Sequence, residues 1–487
     1  MTRAPVAIVG GGLAGIAAAV ALGEAGHPVT LYEARPRLGG ATHSFVRNGL
    51  VVDNGQHVFL RCCTAYRGLL DRLGGASRVD VQDRFDVRVL TPDGRTARLR
   101  RSALPGPFHL LPALARYPLL APADRLRAMR GSLALRRLDP ADPALDRVDL
   151  ATWLAAHGQG DAARRVLWEL FAVAALNVCA GDAALGPAAM VFQTALFGRA
   201  DAADIGVPTV PLGELHGTAA QAAITRHGGV VRLSAKVTAI EPGPMIVVDG
   251  TRVKASAVIV ATPHEQAARL VPMDAAPDRE RWSGLSASPI VNVHVVYDRR
   301  VTDLPFAAVV GSPVQWVFDK TRVAGLRDGQ YLAVSVSAAD RWIDTPTARA
   351  RAVFVLALEQ LFPGARRARV TDFFVTRERR ATFRQGPGSG ALRPEAATRW
   401  PGLFLAGAWT DTGWPDTMEA AVRSGLNAAR LARRHLDAGI PNTGTRDMGT
   451  RDTATRDTAT RDTATRDTAT LDTATLDTAT LDTEAAR

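Results

Sequence analysis

Two glycine-bearing turns, one near each end of the chain, carry the residue types best suited to chemistry. The first is Gly10-x-Gly12-x-x-Gly15. It follows the apolar run Val6 to Val9 and opens the Ala-rich stretch Leu13 to Leu22. Gly10 permits a tight turn, Gly12 lets the backbone approach a pyrophosphate, and Gly15 lets helix and strand pack closely. The free N–H groups and the positive dipole end of the helix then face the phosphates. Gly26-His27-Pro28 ends the helix, Val29 to Tyr32 reads as a second strand, and Glu33 stands 21 residues past Gly12. A carboxylate there can accept both hydroxyls of an adenosine ribose. Glycines alone are a weak signal, since a packing helix uses them too. Strand, turn, helix and acid in register make a βαβ unit that binds a dinucleotide. The second turn follows the apolar run Gly402 to Ala406: Gly407-Ala408-Trp409, with a helix expected over Thr417 to His435.

Directly after Glu33 comes Arg35-Pro36-Arg37-Leu38-Gly39-Gly40. A glycine pair lets a second loop reach the pyrophosphate, and Arg37 can offset its charge. NAD-binding units seldom need this loop. It resembles the motif that follows the ribose acid in the FAD-dependent amine oxidase and carotenoid desaturase superfamily. That resemblance implies FAD as cofactor, with the helix from Met418 aimed at the pyrimidine edge of the flavin, where its dipole stabilises negative charge. The alternative there is an ordinary helix capped by Asp416 or Thr417. The implied FAD contacts are Gly10, Gly12, Leu13, Ala14, Gly15, Glu33, Ala34, Arg37, Gly39, Gly40, Val237, Gly407 and Met418. Relatives usually carry Arg after the glycine pair and often Asp after the later glycine. This chain has Ala41 and Ala408, so one basic contact and one ribityl contact are missing.

The pattern narrows further. Gly39-Gly40-Ala41-Thr42-His43-Ser44-Phe45, Val52-Asp53-Asn54-Gly55-Gln56-His57, Leu167-Trp168-Glu169 with Ala174-Ala175-Leu176-Asn177, and Trp409-Thr410-Asp411-Thr412-Gly413-Trp414-Pro415 are similar to the hydroxysqualene dehydroxylase family. These are squalene-associated, FAD-dependent, desaturase-like enzymes of bacterial hopanoid synthesis. The similarity runs from about Val6 to His435. It implies a C30 isoprenoid substrate, hydroxysqualene, whose allylic hydroxyl is replaced by hydrogen. An electron donor for FAD is implied but not identified; no second dinucleotide fingerprint is apparent. Loss of the hydroxyl as water requires a general acid, and the allylic cation requires a dry, apolar pocket. His57, Asp411 and Glu419 are the candidate acids. Each has a structural alternative: a satisfied polar side chain, a turn residue and a helix-start charge. Asn177 and Gln56 can orient a hydroxyl or satisfy local backbone. An amine oxidase should have an aromatic cage and often a lysine near the flavin, yet Lys236, Lys254 and Lys320 are the only lysines. A carotenoid desaturase-like enzyme and a non-catalytic flavin-binding scaffold are the other readings.

The 487 residues, 47% of them hydrophobic, suffice for two or three domains with a large core. The expected fold class is α/β. A Rossmann-like FAD-binding domain (1–75, 211–284 and 391–440) interleaves with an α+β substrate domain (76–210 and 285–390). The latter is expected to hold a mostly antiparallel sheet. It includes a hairpin over Phe85 to Leu99 turning at Pro92-Asp93-Gly94, strands at Ile290 to Tyr297, Gln315 to Phe318 and Tyr331 to Val336, and an amphipathic helix at Thr347 to Leu361. Gly229 to Ile240 and Ala257 to Ala261 read as further strands. From Arg446 the unit RDTAT repeats, drifting to LDTAT. A period of five fits neither helix nor strand, so 441–487 is expected to be a disordered tail.

Formal net charge is +11. Arg446 to Arg487 holds six arginines, eight aspartates and one glutamate, a net of −3, so the rest of the chain carries +14. Such a balance suits an anionic ligand or membrane. Nucleic acid ranks last, because no recognised motif or aromatic interleaving accompanies it. Residues 95–138 hold ten arginines and one acid, Asp124. Here Leu110, Leu111, Leu114, Leu119 and Leu120 are expected to enter a lipid surface, with Arg116, Arg125, Arg127 and Arg130 at headgroups. A solvated domain cover is the alternative. Ala4 to Gly23 is uncharged and long enough to span a bilayer, but Gly10 to Gly12 and the following strand argue against a span or a signal peptide. Cys62, Cys63 and Cys179, without a CxxC, suggest a reduced, cytoplasmic setting, and no metal site is expected.

Overall fold

Val6–Val9 forms a fully buried strand and Leu13–Glu24 the helix after it, in a computed structural model that describes residues 4–438. Short β-branched runs buried on both faces are what central parallel strands require. Five pair in parallel, in the order Val230–Arg232, Val29–Tyr32, Val6–Val9, Val258–Val260 and Leu403–Leu405. Chain order reverses between Val6–Val9 and Val258–Val260, and a ligand crevice opens at the carboxyl ends of strands at such a point. Gly10 lies there. The uncharged stretch from Ala4 is therefore strand and helix of this sheet, and among the described residues no helix is long and apolar enough to cross a membrane.

Seven strands form a second sheet: Val370–Phe383, Ala287–Tyr297, Gln330–Val336, Trp316–Asp319, Phe306–Val309, Asp86–Leu90 and Thr96–Arg100. Only Phe306–Val309 and Asp86–Leu90 run parallel. The hairpin turns at the expected Pro92-Asp93-Gly94. Helix Thr347–Leu361 packs Ala350, Phe354, Ala357 and Leu358 onto one face. Helices between 122 and 197 cover the hairpin end with Leu135, Trp168, Phe192 and Leu196. The class is α/β, as expected.

Two expectations change, and one strand was not foreseen. Gly229 to Ile240 is two strands in different sheets, Val230–Arg232 and Val237–Glu241, because Ser234 turns the chain at φ 53°. Val370–Phe383, too charged to read as a strand, is one because it pairs along Ala287–Tyr297; only Thr371, Arg379 and Arg380 of it are exposed. Four of the five leucines assigned to lipid face inward. Leu120 is buried, and Leu110, Leu114 and Leu119 pack against the core. Arg125 is tied to the carbonyls of Leu120 and Ala115, and Arg127 to Asp124. The tail expected over 441–487 lies outside the described residues.

Helix Met418–Ala438 lies against Leu13–Glu24 so closely that a Cβ on Gly425 would stand 2.1 Å from the Ala14 carbonyl oxygen. Backbone cannot give as a side chain can. Gly425→Ala is expected to cost about 1–3 kcal/mol, read as a lowered melting temperature; an unchanged melting temperature would contradict this packing.

Candidate dinucleotide site

The first turn is assembled around one carboxylate. Glu33 accepts the Gly11 N–H through Oε2 at 2.7 Å and the Arg35 N–H through Oε1 at 2.8 Å. It thereby ties the glycine turn to the loop beyond the second strand. The Glu33 carbonyl receives the Ala235 N–H, and that of Arg35 the Ser234 N–H, which brings Val237 beside the same loop. Gly39 donates to the Gly11 carbonyl at 2.9 Å. Gly40, at φ 57°, lies against Gly12: a Cβ on Gly40 would be 2.8 Å from the Gly12 Cα. Arg37 Nη1 donates to the Gly40 carbonyl at 3.2 Å, and burial lowers its pKa, with Arg35 adding to the effect. Helix Leu13–Glu24 starts with no side-chain cap, so its first N–H groups face the crevice between the two loops. Leu13 and Ala14 are buried there, and Ala34 is exposed.

The second turn is joined to the first by a segment read only as the end of a strand. After Val258–Val260, Ala261 packs against Gly10 and the Thr262 carbonyl accepts Trp409 Nε1 at 2.9 Å. Gly407 donates to Ser424 Oγ at 2.8 Å, which fixes the turn on helix Met418–Ala438. Arg393 braces the loop, with Nη2 donating to the carbonyls of Ala408 at 3.1 Å and Thr410 at 2.6 Å. Two buried polar atoms have no partner among the described residues at these turns: Thr262 Oγ1 and Arg393 Nε. An uncapped helix start, an acid at the ribose position and unpaired buried donors at both turns fit an anionic dinucleotide.

A family model for flavin-containing amine oxidoreductases matches residues 13–432. A hydroxysqualene dehydroxylase of Sinorhizobium fredii is 30% identical over 446 residues, which cover 88% of this chain and 98% of the relative. One from Rhodopseudomonas palustris is 29% identical over 454 residues, covering 88% and 97%. A putrescine oxidase structure with bound putrescine superposes with TM-score 0.67 at 21% identity, covering 90% of this chain and 99% of that one, a likeness in fold. The chain belongs to the flavin-containing amine oxidoreductase family, in the branch of the hydroxysqualene dehydroxylases. It is an FAD-dependent oxidoreductase.

Within this flavoenzyme the three acids expected from the sequence part company. Glu419 is buried, and its carboxylate accepts the Ala65 N–H at 3.0 Å, the Tyr66 N–H at 2.7 Å and Arg423 Nε at 2.7 Å. Helix Thr64–Arg72 has no cap side chain of its own, so Glu419 closes its N-terminus. With three donors on its carboxyl oxygens Glu419 serves as a helix cap in this structure, and the proton donor is sought elsewhere. Asp411 is exposed and accepts the Gly413 N–H at 3.2 Å, as a turn residue does. His57 lines an internal cavity of about 30 Å³ beside Asp53, Gln56 and Lys320, room for a water. Burial lowers its pKa to about 4, Asp53 working against the shift and Lys320 with it. Near neutrality His57 is a neutral imidazole. Lys320 is itself held by Asp53 at 3.0 Å.

Several site-forming residues were missed. Asn54 binds the Ala41 carbonyl at 2.8 Å and Glu378 at 3.1 Å, stapling the glycine-pair loop to Val370–Phe383. Asn177, weighed as a substrate-orienting group, instead donates to the Ser288 carbonyl and Thr382 Oγ1, both at 3.0 Å. Asp416, read as a cap, accepts the Phe383 N–H at 2.8 Å. Burial raises its pKa to about 6 against that bond and the Arg393 charge.

Replacing Glu33 by Gln removes the charge from two hydrogen bonds that hold the pyrophosphate-facing loops. Hydrogen bonds to charged groups contribute about 1.5–3 kcal/mol. Glu33→Gln is therefore expected to raise the FAD dissociation constant about tenfold or more, measured by flavin fluorescence titration of stripped protein; wild-type affinity would contradict the assignment.

Proposed function

We propose that this enzyme reduces hydroxysqualene to squalene, exchanging an allylic hydroxyl for hydrogen. The similarity to hydroxysqualene dehydroxylases along 88% of the chain carries this reading. FAD is assigned to 1–75, 211–284 and 391–440, held by Gly10, Gly12, Leu13, Ala14, Gly15, Glu33, Ala34, Arg37, Gly39, Gly40, Val237, Gly407 and Met418. The isoprenoid is assigned to 76–210 and 285–390. When bound, reduced FAD would supply a hydride, and an unidentified electron donor would restore it. The protein must deliver a proton to the departing hydroxyl and keep water away from the carbon it leaves.

Asp416 suits the proton step. It stands two residues before helix Met418–Ala438, and with a pKa of about 6 part of it remains protonated near neutrality. Neutral His57 and exposed Asp411 are poorer donors. Leu167, Trp168, Leu170, Phe192 and Leu196 form an apolar core layer in the segment assigned to the isoprenoid, in keeping with the dry surroundings the reaction needs. Contact with the inner face of a membrane through 95–138 belongs to the same reading, since the substrate partitions into lipid.

Anaerobic incubation with hydroxysqualene and dithionite is expected to yield squalene, read by mass spectrometry; its absence from FAD-loaded enzyme would overturn the substrate assignment. The protonated form of Asp416 acts, so turnover should fall as pH rises through about 6. Asp416→Asn should lower kcat by about a hundredfold and flatten that limb of the profile. A retained limb would assign the proton elsewhere.

A further inference from the structure

Four of the eight large hydrophobic side chains exposed on the described residues fall in one stretch: Leu104, Phe108, Leu126 and Leu133, each 46–49% accessible. They are not the leucines a reading of the sequence selects. Leu126 and Leu133 lie seven residues apart on helix Pro122–Arg136, hence on one face, while Ala128, Gly131 and Leu135 take the buried face. Arg130 shares the outer stripe at helical spacing, and Arg127 and Arg136 flank it. Leu104 and Phe108 project from a loop pinned at its base by Ser102 N–H to the His109 carbonyl at 2.7 Å.

That loop leaves and rejoins the rim of an open groove of about 480 Å³ at Ser102 and Pro112. Arg84, Arg88, Arg98, Arg100, Arg101 and Arg116 line it. Asp86 pairs with Arg98 and Arg100, and buried Asp204 with Arg101. Arg84, Arg88, Arg116, Arg130 and Arg136 have no acidic partner among the described residues. Three of the groove's six arginines thus lack an acidic partner, and the groove carries an excess of cations.

We propose that this face docks on an anionic phospholipid bilayer, with Leu104, Phe108, Leu126 and Leu133 entering the acyl boundary and the arginine groove taking phosphate headgroups. Exposed apolar side chains in the same stretch as guanidinium groups without acidic partners match an interface that is hydrocarbon below and anionic above. An aqueous protein partner would need carboxylates to match, and a purely electrostatic ligand would gain nothing from the leucines. The assignment of an isoprenoid substrate makes such a face useful, and the proposal rests on that reading only for the substrate arm of the test.

FAD-loaded full-length protein is floated with vesicles of phosphatidylcholine alone or with phosphatidylglycerol, at low and high salt. Binding is expected to phosphatidylglycerol vesicles at low salt and to fall at high salt. Arg84→Glu/Arg88→Glu/Arg116→Glu should weaken it by at least about fivefold per arginine, and Leu126→Glu/Leu133→Glu should weaken it with the salt dependence kept. All five positions are away from the flavin loops, so flavin content and melting temperature should stay as in wild type. Wild-type protein that stays with the lipid-free fraction, or variants that bind like wild type, would overturn the proposal. So would concentration-dependent self-association that Leu126→Glu/Leu133→Glu abolishes without any vesicle binding. Turnover in detergent micelles separates the two readings. Variants active in detergent but slow on vesicle-embedded hydroxysqualene support docking. Vesicle binding without turnover in either medium leaves the surface standing and removes the substrate.

Discussion

Backbone packed on backbone around helix Leu13–Glu24 is the constraint on which the rest depends. A Cβ on Gly15 would stand 1.9 Å from the Gly10 carbonyl oxygen, and one on Gly425 2.1 Å from the Ala14 carbonyl oxygen. Only hydrogen side chains allow the turn, the helix and the C-terminal helix to share this space. The helix start then meets the carboxyl ends of the parallel strands, where its uncapped N–H groups and dipole favour an anion. Chain segments some four hundred residues apart are thus held at one crevice by close packing, before any side chain contributes specificity.

Charge is laid over that frame economically. Glu33 serves two neighbouring loops through separate oxygens, which leaves lone pairs on both for a ribose. Relatives place a basic residue after the glycine pair, where this chain has Ala41. Here Arg37 folds back onto the Gly40 carbonyl and brings its cation to the same loop. At the far turn Ala408 offers no side chain for a ribityl hydroxyl, but Arg393 binds the Ala408 and Thr410 carbonyls and has an unpaired buried Nε. Both substitutions look like losses along the chain. In three dimensions a guanidinium stands near each of them.

What was legible in the sequence follows how local the physics is. The βαβ unit could be read because turn, helix and acid are fixed by spacing within some thirty residues. The hairpin at Pro92-Asp93-Gly94 and helix Thr347–Leu361 were legible for the same reason. Val370–Phe383 was not, since its run of charged residues carries no apolar alternation to betray a strand. Glu419 was misread because its partners, the amides of Ala65 and Tyr66, are distant in sequence. Thr262 and Arg393 carried no motif at all; only the meeting of the two turns gives them a role. The leucines of 95–138 show the same limit, because composition counts apolar residues without saying which face of a helix is already occupied.

Burial shifts His57, His43 and Asp416 in the direction set by the charge each would carry. Removing water penalises whichever form is charged. The same desolvation that takes His57 down to about 4, and His43 likewise with help from Arg37, takes Asp416 up to about 6. Imidazoles that titrate near neutrality in water thus become neutral bystanders, and a carboxyl that would be a spectator anion retains a proton. Water exclusion is also what an allylic cation needs to survive until hydride reaches it. In the proposed reaction a single physical property, exclusion of water, would meet both requirements: it would keep competing nucleophiles from carbon, and it would favour a carboxylic acid over a histidine as proton donor.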